Sequence, residues 1–78
     1  MEEYLRRLTK EELEQAVLKV LSDGNPRNIR HILTQVRINL PNILCIYIPD
    51  INQTCWSLYH NGKLYFSAGY GFCINPLD

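Results

Sequence analysis

Asn52, Gln53, Trp56 and His60 fall within nine residues of one another, and their types suit a surface that reads another macromolecule. Amides can hydrogen-bond adenine edges or hold phosphate oxygens, and an indole can stack on a base or a sugar. Positive charge to accompany them exists elsewhere in the chain. Placed on one helix at 100° per residue, Arg27, Arg30 and Arg37 fall within about 80° of one another, with His31 beside them. Lys63 adds one further cation. The competing assignment makes Trp56 a core or interface aromatic and leaves the polar residues simply solvated. Residues 41 to 78 contain one Lys and no Arg, which favours that second assignment.

A second cluster has different chemistry. Tyr65, Phe66, Tyr70 and Phe72, together with Tyr47 and Trp56, concentrate aromatic surface in the C-terminal half. A strand of alternating residues must turn some of them outward, and exposed aromatics commonly anchor protein partners. Either a docking face or a densely aromatic core follows. Dimerisation through this hairpin is part of the same expectation.

Covalent and metal chemistry have little support. Cys45, Cys55, Cys73, His31 and His60 supply suitable ligand types, but none has the close pairing of a structural zinc site. Cys55 and His60, five apart, do not share a helix face, and no third residue is placed to orient them. Gly69 and Gly71 do not lie between a strand and a helix, as a phosphate-cradling loop requires. The expectation is a protein that is not an enzyme, with no metal, no cofactor and no small-molecule substrate.

The whole chain bounds what can position these residues. Its 78 residues make a single domain, 1-78, with a core over about 9-74 and room for two or three helices and a small sheet. Hydrophobic residues at 46% and charged ones at 21% are those of an ordinary globular domain. Eight basic side chains balance eight acidic ones, so bulk electrostatics cannot be the main hold on nucleic acid. Met1-Glu2-Glu3 has no leader character, the longest apolar run is six residues, and three cysteines are an odd set. A cytoplasmic protein with reduced thiols and no membrane span is expected.

Local signals mark two helices. Thr9 and Glu12 have capping-box spacing, and Leu8 and Leu13 can close a hydrophobic staple, so a helix should start near Lys10. Leu13, Ala16, Val17, Val20 and Leu21 form its apolar stripe, and Gly24 should stop it. Residues 1 to 8 could add a short helical turn. Asn25-Pro26 then reads as a cap and first helical residue of a second helix, with Ile29, Ile32, Leu33, Val36 and Leu40 as its stripe and Leu40-Pro41-Asn42 as its end.

Beyond Ile43 two architectures compete. The run "ILCIYI" has the content of a buried strand closed by Pro49, and Asp50 with Gln53 has capping-box spacing again. As a helix, residues 51 to 60 put Ile51, Thr54, Cys55 and Leu58 on one side and Asn52, Trp56 and His60 on the other. As a strand they divide less cleanly, although their propensities favour β and Asn61-Gly62 is a strong hairpin signal. Lys63 to Ser67 and Phe72 to Ile74 make a hairpin around "AGYG" in both cases. The first architecture is an α+β winged helix-turn-helix of three helices and a C-terminal β-hairpin wing, with Gly62 ending the third helix. The alternative is two helices packed on a three-stranded antiparallel meander.

The stretch "VLKVLSDGNPRNIRHIL" is similar to the opening of many winged-helix domains, and "INQTCWSLYHNGKLYFSAG" resembles the third helix and first wing strand of the Zα family. The shared features are Asn52, the aromatic Trp56 four residues later, Ser57-Leu58 and Gly62-Lys63-Leu64. Specific matching is confined to residues 51-69. By that resemblance Asn52 would contact phosphate and Trp56 would pack against a base of left-handed duplex. The family's Lys four residues before the Asn is Ile48 here, and its wing motif Pro-Pro-x-Trp is replaced by Gly71, Phe72, Cys73 and Ile74. About five extra residues also separate the second and third helices.

Two functions are therefore expected in competition. One is a small winged-helix DNA-binding protein, a transcription regulator and possible homodimer, contacting duplex through the third helix and the Arg27, Arg30 and Arg37 flank. The other is a protein-interaction module acting as regulator, inhibitor or adaptor through its aromatic hairpin.

Overall fold

The computed structural model describes residues 8-43 and 45-75. Three helices are followed by a two-stranded antiparallel hairpin, an α+β arrangement compatible with a winged-helix-like order. The suggested helical turn at residues 1 to 8 lies, except for Leu8, outside the described residues.

Helix α1 spans Lys10–Val20 and starts where its local signals place it. The Thr9 hydroxyl accepts from the Glu12 N–H at 3.2 Å, and the Glu12 carboxylate accepts from the Thr9 N–H at 3.0 Å, satisfying two otherwise orphan donors reciprocally. Val17, Val20 and Leu21 are buried, with Leu8, Leu13 and Ala16 packed at their edge. Gly24 does not end the helix directly. The last turn closes at Leu21, and Gly24, at φ +83°, lies in the turn beyond it.

Helix α2 spans Ile29–Asn39, three residues shorter at its start than Asn25-Pro26 suggests. Its cap is Asn28, whose side-chain oxygen accepts from the His31 N–H at 2.8 Å. The reason for the shift is tertiary. Residue 27 is extended and exchanges both backbone hydrogen bonds with Phe72, at 2.9 and 2.8 Å, which is incompatible with a helical turn there. Ile32, Leu33 and Val36 are buried, and the helix stops at Leu40 before Pro41.

The run "ILCIYI" is not a strand. Its described residues up to Tyr47 form an irregular connector, and Ile48 already belongs to helix α3, Ile48–His60. Pro49 sits in the first turn, where its missing N–H costs nothing. Asp50 is not the cap; it lies inside the first turn and its carboxylate accepts from the Tyr47 N–H at 3.0 Å. Ile51, Thr54, Cys55 and Leu58 form the buried stripe.

At the other end of α3 the ambiguity of Asn61-Gly62 is decided. The Lys63 N–H donates to the Leu58 carbonyl at 2.9 Å and the Gly62 N–H to the Tyr59 carbonyl at 3.0 Å, with Gly62 at φ +76°. This pair of bonds is a Schellman ending, which consumes the orphan carbonyls of a helix terminus and turns the chain. Asn61-Gly62 is a helix end, and the three-stranded meander is excluded.

Strand β1, Tyr65–Ser67, and strand β2, Gly71–Cys73, pair with Tyr65 opposite Cys73, Phe66 opposite Phe72 and Ser67 opposite Gly71. Because Arg27 bridges to Phe72 from the other side, β2 is flanked on both edges and β1 is the outer strand. Helix α3 packs on both α1 and α2, and Leu64 and Phe72 close the core from the hairpin side.

Candidate functional site

The residues expected to bind duplex are dispersed by the fold. Arg27 precedes α2, so it cannot share a helical stripe with Arg30 and Arg37. Its guanidinium makes a bidentate pair with Asp23, at 2.9 Å to Oδ1 and 2.7 Å to Oδ2, and also donates to the Val20 carbonyl at the end of α1. Arg27 therefore ties the end of α1 to the strand-like residue before α2. Arg37 is engaged as well: Nε and Nη2 donate to the Ile46 carbonyl at 3.2 and 2.7 Å, holding the connector that leads into α3. Arg30 is exposed and makes no side-chain hydrogen bond or ion pair among the described residues.

The Asp23–Arg27 pair makes stability depend on pH with a definite sign. Hydrogen bonds from the Arg27 side chain and then the Asn25 backbone hold the Asp23 carboxyl well below the usual carboxylate range. A depressed folded-state value means that the unfolded chain binds this proton first. The contribution is complete above about pH 4, the unfolded value, and is lost progressively as pH falls below it. We expect wild type to lose more thermal stability than Asp23→Asn between pH 5 and pH 2, measured by circular dichroism; parallel curves would remove the pair from the acid response.

On α3, Asn52, Gln53 and His60 are exposed, as is Lys63 just beyond it. None of these four makes a side-chain hydrogen bond among the described residues. Trp56 is in a different position. It is half-buried against three rings: Phe72 edge-on at 4.9 Å, Phe66 tilted at 5.0 Å and Tyr59 edge-on at 5.5 Å. Edge-to-face pairs at these separations set the electropositive ring edge against an electron-rich face. Trp56 thus joins α3 to the hairpin.

The aromatic hairpin residues divide. Phe72 is 2% exposed and belongs to the core, so it offers nothing to a partner. Tyr65, Phe66 and Tyr70 are 45%, 44% and 65% exposed. Tyr59 joins them at 41%, a residue that sequence reasoning did not place in any site. Its signal was its spacing, three residues after Trp56 on a helix, which brings the two rings together. Tyr59, Trp56 and Phe66 form a continuous ring contact running from α3 to β1.

Cys55 lies in the core, where burial pushes its thiol up to about 12, so it is a protonated thiol at neutral pH. Among the described residues no group of three or more His, Cys, Asp or Glu side chains is arranged to hold a metal ion, and no helix is long and apolar enough to cross a membrane. No protein-family model, curated protein or solved structure matches the chain.

Proposed function

We propose that the chain is a winged-helix-like, non-catalytic interaction module that docks another protein on the aromatic surface formed by the end of α3 and the hairpin. The observation that carries this reading is the exposed ring surface of Tyr59 and Phe66 on the anchored Trp56, with Tyr65 and Tyr70 exposed on the same hairpin. Tyrosines suit such a surface, because each covers much area with few torsions to immobilise and keeps a hydroxyl for the rim. The charge distribution supports it too. Of Arg27, Arg30 and Arg37, two have their guanidinium groups engaged by hydrogen bonds within the chain, and α3 itself carries no Lys or Arg. The winged-helix assignment draws support from the chain order, in which the residue between α1 and α2 pairs beside β2.

Tyr65→Ser/Tyr70→Ser tests the module, since both side chains are exposed and the double variant should fold. Used as bait beside wild type and Asn52→Ala/Gln53→Ala, it should lose a protein that the other two retain. Identical retention by all three would overturn the reading.

A second reading, duplex binding through α3, is favoured by one observation: Asn52, Gln53 and His60 are exposed with their hydrogen-bonding capacity unspent among the described residues. Lys63 and Arg30 would supply its phosphate contacts. A fluorescent duplex in low salt should then bind with an affinity that falls as salt rises, and no binding at roughly 100 µM would end it.

A further inference from the structure

Asn61 is the chain's one asparagine followed by glycine; the others precede Pro, Ile, Leu or Gln, which lack the N–H or shield it. An asparagine in this position sets an electrophile and a nucleophile on adjacent residues. The Gly62 nitrogen, losing its proton, attacks the Asn61 side-chain carbonyl carbon, the Nδ2 nitrogen leaves as ammonia, and a five-membered succinimide closes. Water then opens the ring at either carbonyl, giving an aspartyl or an isoaspartyl link at position 61. Neither an oxidant nor an enzyme is required.

The fold decides whether this reaction proceeds. The Asn61 side chain is exposed and makes no hydrogen bond among the described residues. Around Gly62 the space is open, since a Cβ there would meet nothing within 4 Å. Nothing steric opposes the ring. The backbone, however, holds the nucleophile away. The Gly62 N–H is committed to the Tyr59 carbonyl at 3.0 Å, and ψ of 5° at Asn61 eclipses the Gly62 nitrogen with Asn61's own nitrogen rather than with Cβ, where ring closure needs it. Both constraints belong to the Schellman ending of α3, and helix ends open locally at small free-energy cost.

Asp23-Gly24 is the chain's other step with this geometry, and its protection is different. There the side chain itself is clamped. Both carboxylate oxygens accept from the Arg27 guanidinium, at 2.9 and 2.7 Å, and an ionised oxygen is not a leaving group. At Asn61 only the last turn of the helix has to loosen.

We propose that Asn61 is a spontaneous deamidation site whose rate is set by opening of the last turn of α3. The product acts on the same joint. In the isoaspartyl form the main chain runs through the former Asn61 side chain, which adds a methylene between α3 and β1, so the Gly62–Tyr59 and Lys63–Leu58 bonds of 3.0 and 2.9 Å no longer close together. The freed carboxylate also stands at the negative end of the helix dipole. Trp56, on one side of the joint, then loses its fixed contact with Phe66 on the other. The modification needs no partner, so it stands or falls apart from the docking reading.

The test follows the full chain at mildly alkaline pH, native and in unfolding urea, by peptide mapping of the mass gain that turns an amide into an acid. In urea, position 61 should be modified before any other asparagine. In the native chain it should still lead, slowed by about tenfold or more, and by the same factor that solvent-exchange NMR gives for protection of the Gly62 N–H, because both processes need that hydrogen bond open. Asn61→Gln, whose longer side chain cyclises far less readily, should stay unmodified at this position and keep the wild-type circular dichroism. The isoaspartyl fraction, separated by ion exchange, should lose near-ultraviolet dichroism from Trp56. Equal rates in the native and unfolded chains, a native rate that departs from Gly62 protection in either direction, or an isoaspartyl chain with unchanged Trp56 dichroism would overturn the proposal.

Discussion

Gly71→Ala is expected to lower the stability of this domain by roughly 3-4 kcal/mol, combining a left-handed backbone cost of about 1-2 kcal/mol with the loss of two backbone hydrogen bonds of about 1 kcal/mol each. Gly71 holds φ at +101°, where a side chain is strained whatever the space. The space is also absent. A Cβ at this position would stand 2.8 Å from the Asn28 nitrogen and closer still to the Arg27 carbonyl, all of it backbone that cannot rotate away. The Arg27–Phe72 exchange that holds the hairpin to the start of α2 would have to open. Against a total of about 5 kcal/mol for a small domain, only about 1-2 kcal/mol would remain.

Gly69 provides the control. Its φ of +92° is similar, but a Cβ there meets nothing within 4 Å. Gly69→Ala should cost only the conformational part, about 1-2 kcal/mol. Urea denaturation of the two variants checks the difference. Equal midpoints would mean that the hairpin does not depend on its approach to residues 27 and 28.

The same close approach explains what the sequence could and could not reveal. Helix α1 was legible because everything that starts it is local: Thr9 and Glu12 bond each other across three residues, and no distant element competes. For helix α2 local rules chose Asn25, before Pro26, as the cap. The choice was made instead by Phe72, some 45 residues away, which takes both backbone bonds of residue 27. No window of the sequence contains that pairing.

Moving the start of α2 also changed the candidate site. Arg27, Arg30 and Arg37 share one stripe only where all three lie on one helix, and Arg27 lies before it. Engagement of Arg37 by the Ile46 carbonyl was invisible for a related reason: a connector without regular structure has no period from which to place its carbonyls. The α3 stripe, by contrast, was readable because Ile51, Thr54, Cys55 and Leu58 repeat at helical spacing, and that pattern outweighed the β propensities of Thr, Cys, Trp and Tyr. Packing against α1 and α2 stabilises a helix that propensity alone would not have chosen.

Trp56→Ala is the second large effect, and its direction separates a packed indole from a recognition element. A fully buried Trp removed to Ala costs about 3-5 kcal/mol, and half-burial moves the expectation toward the lower end, about 3 kcal/mol. Part of this loss comes from ring pairs worth about 0.5-1.5 kcal/mol each beyond area burial. A Trp56→Ala/Phe72→Ala cycle should therefore show a coupling of about 1 kcal/mol, because the two rings meet edge-on at 4.9 Å. Trp56→Phe keeps a ring in contact with Phe66 and Phe72 and should recover more than half of the stability. Urea melts followed by circular dichroism make the comparison, since the chain has only this one Trp to fluoresce. Were Trp56→Ala nearly as stable as wild type, with no coupling to Phe72, the indole would be available to a ligand on the α3 face, and Asn52, Gln53 and His60 beside it would become the stronger candidate site. A loss near 3 kcal/mol with measurable coupling instead makes Trp56 the support on which the exposed Tyr59 and Phe66 rings are held toward a partner.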